Sequence, residues 1–401
     1  MNQPAHPPLA VPRTAALDSV RSLLTLLVVA HHAVLAYFVY APPLGAFDPT
    51  LLWGAFPIID SARAPGVDVL VLWNDSFFMA LMFLLAGLFT GPSLARKGAG
   101  GFMADRFMRL GVPFVVSVGV LAPLAYWPAY LQRAAATPAA GFVDAWAKLG
   151  AWPAGPAWFL WVLLAFSALA ALLHFVWPSA LAALGRVGEW CRARPARLVG
   201  VWIVAALLAY MPVVMKVHYM HWANWGPFFV QSSRVLLYAT YFCYGLALGW
   251  RSEGLRELVA PAGPLARRWV RWQVAAGVGF VGFMAAVVVT AIKGSRGEFS
   301  LAWSVAAGVL MMVSAVLTST GLLAWAARRR SVENAFWASL RRNAYGIYLV
   351  HYAVVIWLQF ALLRVEWPGL AKALLVTVAG ITLSWALVAA LRRLPGLRAV
   401  L

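Results

Sequence analysis

Apolar runs of about twenty residues alternate with short polar stretches along nearly the whole chain. A helix that crosses a bilayer needs roughly 20 mostly apolar residues, so each run of this length predicts a transmembrane helix. The predicted spans are 17–40, 69–91, 111–131, 156–177, 197–215, 227–250, 271–292, 301–326, 344–363 and 369–391. The pattern therefore predicts an all-α fold, a polytopic transmembrane helical bundle of about ten spans.

The composition supports a membrane protein and excludes other classes. Hydrophobic residues make up 63% of the chain and charged residues 11%, whereas a soluble domain is nearer half apolar and a quarter charged. The net charge of +19 does not indicate a nucleic-acid partner, because the basic residues lie in short loops between apolar runs. The two cysteines, Cys191 in a predicted inner loop and Cys243 in a predicted span, suggest neither a disulfide framework nor a metal site.

The distribution of Lys and Arg predicts the orientation in the membrane. With the N-terminus inside, 23 of the 32 basic residues fall on the inner side, as the positive-inside rule requires. This predicts a multi-pass protein of the plasma membrane (the cell inner membrane), N-in and C-in, with an even number of spans. The expected parts are a cytoplasmic segment 1–16, a membrane domain 17–391 and a cytoplasmic tail 392–401.

The first predicted span carries a stripe of polar residues on one face. At about 100° per residue, Asp18, Arg21 and His32 share this face, and Arg21 lies about 16 Å from His32 along the axis. Asp18, one turn from Arg21, is placed to hold its guanidinium group. Ionisable groups inside spans are costly and usually functional, and a buried neutral imidazole can act as a general base. The alternative is a helix anchored by Arg21 with a structural histidine at its centre.

Two further polar groups lie near the inner ends of spans. Arg106 and Arg109 are one turn apart before the third span and suit a phosphate or carboxylate, although charge alone favours ordinary positive-inside anchoring. Tyr345 and Tyr348 share one face at the start of the ninth span. His351 lies almost two turns deeper than Tyr345, too deep for an interfacial aromatic belt.

These groups suit acyl transfer from a thioester to a hydroxyl. His32 is the candidate base, and a nearby cation can stabilise the oxyanion. Basic residues at the inner mouth suit the polyphosphate of a cytoplasmic acyl-CoA. Motifs for ATP, dinucleotide or metal binding are absent from the sequence, so we expect acyl-CoA as a co-substrate, no tightly bound cofactor and no metal.

Five short motifs occur in order on this topology. The first motif runs from Arg21 to His32 and consists of an Arg, ten residues and a His, with a Leu-Asp pair just ahead of the Arg. The others are an FF-rich segment at 77–89, an RxxRLxxP element at 106–113, a WFL at 158–160 and a YxIYLxH element at 345–351. Together they resemble the family-3 integral membrane O-acyltransferases, and within them the branch that contains the glucan-biosynthesis protein C succinyltransferases.

The resemblance implies transfer of an acetyl or succinyl group from acyl-CoA to a glycan or related small-molecule acceptor. The predicted site consists of His32, Arg21 and Asp18 as catalytic residues, Arg106, Arg109, Tyr345, Tyr348 and His351 as donor-binding residues, and Trp158 as an acceptor-binding residue. Two positions depart from the family pattern: Pro156 replaces a His before WFL, and Ala86 replaces the Ser of FFxxSG.

Two other functions fit a polytopic chain with buried ionisable groups. A transporter or flippase for a sugar or lipid-linked solute can use such groups for proton coupling, but it commonly shows matched, broken spans in two halves, which this sequence lacks. A membrane scaffold without catalysis leaves the five ordered motifs unexplained. The expected partners are the acyl donor, the acceptor and the lipid bilayer, not nucleic acid, and the oligomeric state stays open.

Overall fold

The computed structural model describes residues 15–53, 56–134, 141–329 and 334–397. Its α-helices are α1 (Ala15–Leu35), α2 (Pro49–Trp53), α3 (Val67–Leu88), α4 (Thr90–Arg106), α5 (Val112–Val116), α6 (Ala122–Ala134), α7 (Phe142–Lys148), α8 (Trp158–Val176), α9 (Pro178–Arg192), α10 (Pro195–Val214), α11 (Val235–Leu248), α12 (Ser252–Leu258), α13 (Pro264–Arg267), α14 (Trp269–Ser295), α15 (Leu301–Arg328), α16 (Ala335–Ala361) and α17 (Gly369–Leu391). Two π-helical turns, Phe107–Gly111 and Ser117–Leu121, join α4, α5 and α6, and a 3-10 turn, Gly155–Ala157, precedes α8.

Within the described residues, nine helical segments are long and apolar enough to cross a membrane. They correspond to nine of the ten predicted spans, and they confirm the all-α polytopic bundle. The only sheet in this part of the chain is a hairpin of β1 (Trp222–Trp225) and β2 (Phe228–Gln231). Of the predicted cytoplasmic segment 1–16 only residues 15 and 16 are described, and of the predicted tail 392–401 the described part is 392–397.

The sixth predicted span, 227–250, is longer than the helix that forms there. Its first residues belong to β2, because a turn at Gly226, with φ of 59°, folds the chain back on β1. The remaining helix, α11, has 14 residues. It packs parallel to α3, with Arg234 against Asp75 at one end and Trp250 against Gly91 at the other. The predicted topology requires this shared direction for the second and sixth spans.

Glycines let α3 and α11 approach closely. A Cβ atom built on Gly87 would lie 2.1 Å from the carbonyl oxygen of Phe242, and one built on Gly245 would lie 2.1 Å from that of Leu84. Helices in membranes associate through such small residues, because lipid offers no hydrophobic driving force between them. The contact fixes α3 inside the bundle, where most of its residues from Asn74 onward are buried.

The third span is entered through a sharp turn. Gly98 has φ of 66° inside α4, so the chain reverses there, and an ion pair of 2.9 Å between Lys97 and Asp105 joins the two sides. The helix then runs to Ala134 through both π-helical turns. Single π turns insert an extra residue into a helix and are frequent at functional sites.

Candidate active site

Four helices close a ring around the polar residues of α1. An aromatic contact joins each neighbouring pair of helices. The pairs are α1 with α3, α3 with α8, α8 with α16, and α16 with α1. The ring centroids are 5.1 Å apart for His31 and Phe78, 4.7 Å for Phe83 and Phe159, 5.9 Å for Phe159 and Tyr348, and 5.2 Å for His351 and His32. The space inside this ring is the candidate active site.

One face of α3 is partly accessible from Asp75 to the end of the helix. The half-buried residues of this stripe are Asp75, Met79, Met82, Ala86 and Phe89. On a helical wheel, Phe78 lies about 60° from Asp75 on one side, and Phe83 lies about 80° from it on the other side. Because Phe78 contacts α1 and Phe83 contacts α8, the stripe faces the interior of the ring. The accessible surface therefore belongs to an internal cavity.

The polar face of α1 opens on the same cavity. Asp18, Arg21 and His32 are all half-buried. The predicted contact between Arg21 and Asp18 is confirmed, with 3.0 Å between Nη1 and Oδ1. The Arg21 guanidinium also lies 5.3 Å from the ring centre of Phe89, so the accessible faces of α1 and α3 meet at this end.

His32 is paired with His351 of α16. Nδ1 of His351 lies 2.7 Å from the carbonyl oxygen of Tyr348, and Nδ1 of His32 lies 2.9 Å from that of Val28. A carbonyl oxygen only accepts, so both Nδ1 atoms carry the proton in the neutral rings. Nε2 of His351 then accepts from His32 Nδ1 at 3.3 Å. Nε2 of His32 is left with a free lone pair, as a general base requires.

The basic end of the cavity contains three guanidinium groups in different settings. Arg106 is half-buried over the Phe102 ring at 5.0 Å, and its buried Nε has no hydrogen-bond partner. Its charge interacts with those of Arg21 and Arg109. Arg109 is exposed and lies 3.2 Å from Asp105. Arg109 lies within the π turn that begins directly after Arg106, and Arg106 is the arginine whose charge interacts with that of Arg21.

The two tyrosines that the sequence predicts to bind the donor are fixed by backbone carbonyl oxygens. The Tyr345 hydroxyl donates to the carbonyl of Arg109 and ties α16 to the π turn. The Tyr348 hydroxyl donates to the carbonyl of Pro156 and ties α16 to the start of α8. His351, which the sequence groups with these tyrosines as a donor-binding residue, lies about 9 Å further along α16 than Tyr345 and contacts His32.

Trp158, the predicted acceptor residue, belongs to an aromatic cluster at the head of α8. Its ring is stacked on Tyr238 at 5.4 Å and meets Trp222 of β1 edge-on at 5.6 Å. Phe83 of α3 also stacks on Tyr238, at 5.0 Å. The hairpin therefore packs against the start of α8.

A small apolar pocket adjoins the histidine pair behind two tyrosines. Its walls include Ser117 of the second π turn, Pro156, Tyr348, Tyr352 and Ala353. The Tyr352 ring is 5.0 Å from that of His32 and separates the pocket from it. No basic side chain lines this pocket, so it suits an uncharged group.

The sequence did not single out Asp75 and Arg234, which form an ion pair of 2.5 Å between α3 and the start of α11. One signal was present, because Asp75 interrupts an otherwise apolar predicted span. Its partner is 159 residues away, and no periodicity within a single helix connects residues at that separation.

The fold and the site together define an integral membrane protein with an enzyme-like cavity, which is lined by a half-buried imidazole and a basic mouth. Residues 14–389 match the family model described as the acyltransferase domain of acyltransferase family 3, and the chain belongs to that family. No curated protein and no solved structure matches the chain. The family makes the chain a membrane acyltransferase in the general sense, with an acyl donor and an acceptor as its partners.

Proposed function

We propose that this protein is an O-acyltransferase that moves an acetyl or succinyl group from acyl-CoA to a hydroxyl of a glycan or related acceptor. His32 is the general base in this proposal. The observation that supports it most directly is the free Nε2 of His32, which follows from the contact of Nδ1 with Val28 and with His351. His32 is half-buried, which supports access to this side chain from the cavity.

The transfer requires two proton transfers. The acceptor hydroxyl gives its proton to His32 Nε2 while its oxygen attacks the thioester carbonyl carbon, and the carbon–sulfur bond then breaks. The CoA thiolate that leaves accepts the proton from His32. In between, the His32 cation is stabilised by the Val28 carbonyl and the lone pair of His351 Nε2. Arg21, on the same face, contributes positive charge to the mouth of the cavity.

The basic mouth supports acyl-CoA as the donor. Arg21, Arg106 and Arg109 gather positive charge at one end of the cavity, and guanidinium groups bind phosphate oxygens in pairs. Arg21 and His32 are about 16 Å apart along α1, a separation that an extended pantetheine arm bridges. With both termini in the cytoplasm, this mouth faces the compartment that contains acyl-CoA.

The proposed location is the plasma (cell inner) membrane, and the proposed branch is that of the glucan-biosynthesis protein C succinyltransferases.

Mass spectrometry of cell-envelope glycans and secreted small molecules tests this function. Cells with the wild-type gene should carry a product heavier by one acetyl or one succinyl group than cells without it. The variant His32→Ala should lack that product. His174→Ala is the matched control, because His174 lies on α8 beside Trp250, and it should keep the product. A product that persists at the wild-type level in His32→Ala would overturn the assignment of the base.

A further inference from the structure

The ion pair of Asp75 and Arg234 turns a carboxylate toward the cavity. Arg234 donates from Nη2 to Oδ2 of Asp75 at 2.5 Å and from Nη1 to the Asp75 carbonyl at 2.7 Å. The Arg234 side chain is 6% exposed, whereas that of Asp75 is 39% exposed. Among the described residues, Oδ1 of Asp75 accepts no hydrogen bond. The arginine is therefore enclosed, and the carboxylate presents a free oxygen.

This free oxygen does not face lipid. Asp75 begins the accessible stripe of α3, between Phe78, which contacts α1, and Phe83, which contacts α8. An ionised carboxylate against hydrocarbon is costly, whereas one that lines an internal, water-filled cavity is tolerated. The oxygen is placed to accept a hydrogen bond from a molecule inside the ring of helices.

His31 supplies a second unused polar atom beside it. Its side chain is buried, and Nδ1 has no hydrogen-bond partner. The ring interacts electrostatically with Asp75 and Arg234 and meets His32 edge-on, with 5.5 Å between ring centres. Asp75 and His31 thus flank His32 on the α3 side, opposite His351. A ligand held by Asp75 and His31 would lie next to the free Nε2 of His32.

Two stacked aromatic rings, those of Tyr238 and Trp158, form a platform next to Asp75. The Tyr238 side chain interacts with both Arg234 and Asp75, and its ring stacks on Trp158 and Phe83. The half-buried Trp158 ring extends the platform toward β1. Aromatic rings offer a flat apolar surface with defined geometry, and carboxylates accept short, strong hydrogen bonds from hydroxyl groups.

We infer that Asp75, His31 and the Trp158–Tyr238 platform form an acceptor-binding site for a neutral hexose unit of a glycan. A hexose has apolar C–H faces for the rings and neighbouring hydroxyls for Asp75 and His31. A phosphorylated or carboxylated unit fits this site poorly, because Arg234 is already neutralised by Asp75 and the charged group that the site presents to the cavity is a carboxylate. The inference rests on the proposed function, since the hydroxyl presented to His32 is the one to be acylated.

Protection of a reporter cysteine tests the site without requiring catalysis. Met79→Cys is introduced one turn from Asp75 on the same stripe, in a protein whose own cysteines are replaced (Cys191→Ser, Cys243→Ala). The purified protein in detergent is treated with a small charged methanethiosulfonate reagent. Maltotriose, cellotriose or a galactotriose should slow the modification several-fold, while glycerol at the same concentration should not. Tyr40→Cys, on a residue 77% exposed, is the control and should react at one rate throughout.

Two additional variants identify the groups responsible. Asp75→Asn keeps the size of the side chain but loses its charge and should abolish protection. Tyr238→Phe removes only a hydroxyl and should weaken protection, and it leaves the Asp75–Arg234 pair to support the fold. A Met79→Cys thiol that never reacts, protection by none of the three sugars, or undiminished protection in Asp75→Asn would each overturn the inference.

The same reporter separates this inference from the proposed function. In His32→Ala, protection by the sugar should persist although transfer is lost. Protection in a wild-type protein that transfers no acyl group would support the hexose site and reject the proposed function. Transfer by the wild-type protein without protection by any of the three sugars would reject the site alone.

Discussion

His32 and His351 share a hydrogen bond of 3.3 Å between Nδ1 of the first and Nε2 of the second, although 319 residues separate them in the chain. The contact joins α1 to α16 and determines which nitrogen of His32 is free. His351 is itself oriented by the Tyr348 carbonyl, so each imidazole has one defined tautomer. Under the proposed function, His351 is therefore a positioning residue for the candidate base.

Substitution of His351 should affect turnover and not donor binding. We expect His351→Ala to lower kcat at least about tenfold, because a misplaced base loses part of the roughly 10²–10⁴-fold that general base catalysis contributes. The donor KM should stay near the wild-type value. His351→Gln, whose amide oxygen can accept from His32, should recover part of the loss and restore the pH profile of kcat. Steady-state kinetics of the purified variants measures kcat and the donor KM. A raised donor KM with unchanged kcat would contradict the positioning role and support donor binding by His351.

The two arginines of the third span should differ in their contribution to donor binding. Arg106 is half-buried with an unused Nε, whereas Arg109 is exposed and paired with Asp105. A hydrogen bond to a charged group contributes about 1.5–3 kcal/mol, so Arg106→Ala should raise the donor KM by about tenfold to a hundredfold, with a smaller effect on kcat. Arg109→Ala is the matched control and should change the KM less. Equal effects of the two substitutions would place both arginines on the donor.

The buried ion pair of Lys372 and Asp60 should be important for stability. Its atoms are 2.8 Å apart, and the side chains are 2% and 1% exposed. Lys372→Met leaves the Asp60 carboxylate buried without its partner, which costs about 3–5 kcal/mol. The control is Lys148→Met, since the pair of Lys148 and Asp144 is 72% and 48% exposed and such pairs contribute at most about 1 kcal/mol. Thermal unfolding in detergent should show a large fall in midpoint for Lys372→Met alone; similar shifts for both variants would contradict the burial argument.

The contact between α3 and α11 should not tolerate a methyl group. In Gly245→Ala the new Cβ would lie 2.1 Å from the Leu84 carbonyl oxygen, so one helix backbone must move, at a cost of about 1–3 kcal/mol or more. Gly277→Ala on α14 is the control, because nothing lies within 4 Å of its Cβ position. We expect Gly245→Ala to lower the thermal midpoint and Gly277→Ala to leave it unchanged. Equal midpoints would mean that the two helices are not held in close contact.

Local spacing accounts for the parts of the site that were predictable. Asp18 and Arg21 form an ion pair because residues three apart share a helix face, and Arg21 and His32 line one cavity because eleven residues make about three turns. The contact of His351 with His32 was not predictable, because the sequence places His351 on α16 without showing what α16 faces. The sixth span was drawn too long because the apolar residues of β2 continue those of α11, and only the turn at Gly226 separates them.

The sequence alone determined that this chain is a bundle of membrane-crossing helices with a polar stripe on the first, because the length and period of apolar runs are local properties that lipid imposes directly. Tertiary structure decided which ionisable groups meet. His32 reaches His351, and Asp75 reaches Arg234, only because α1, α3, α8 and α16 close into a ring and glycines bring α11 against α3. Such contacts depend on how helices distant in the chain pack, and the period of a single helix carries no information about its neighbours.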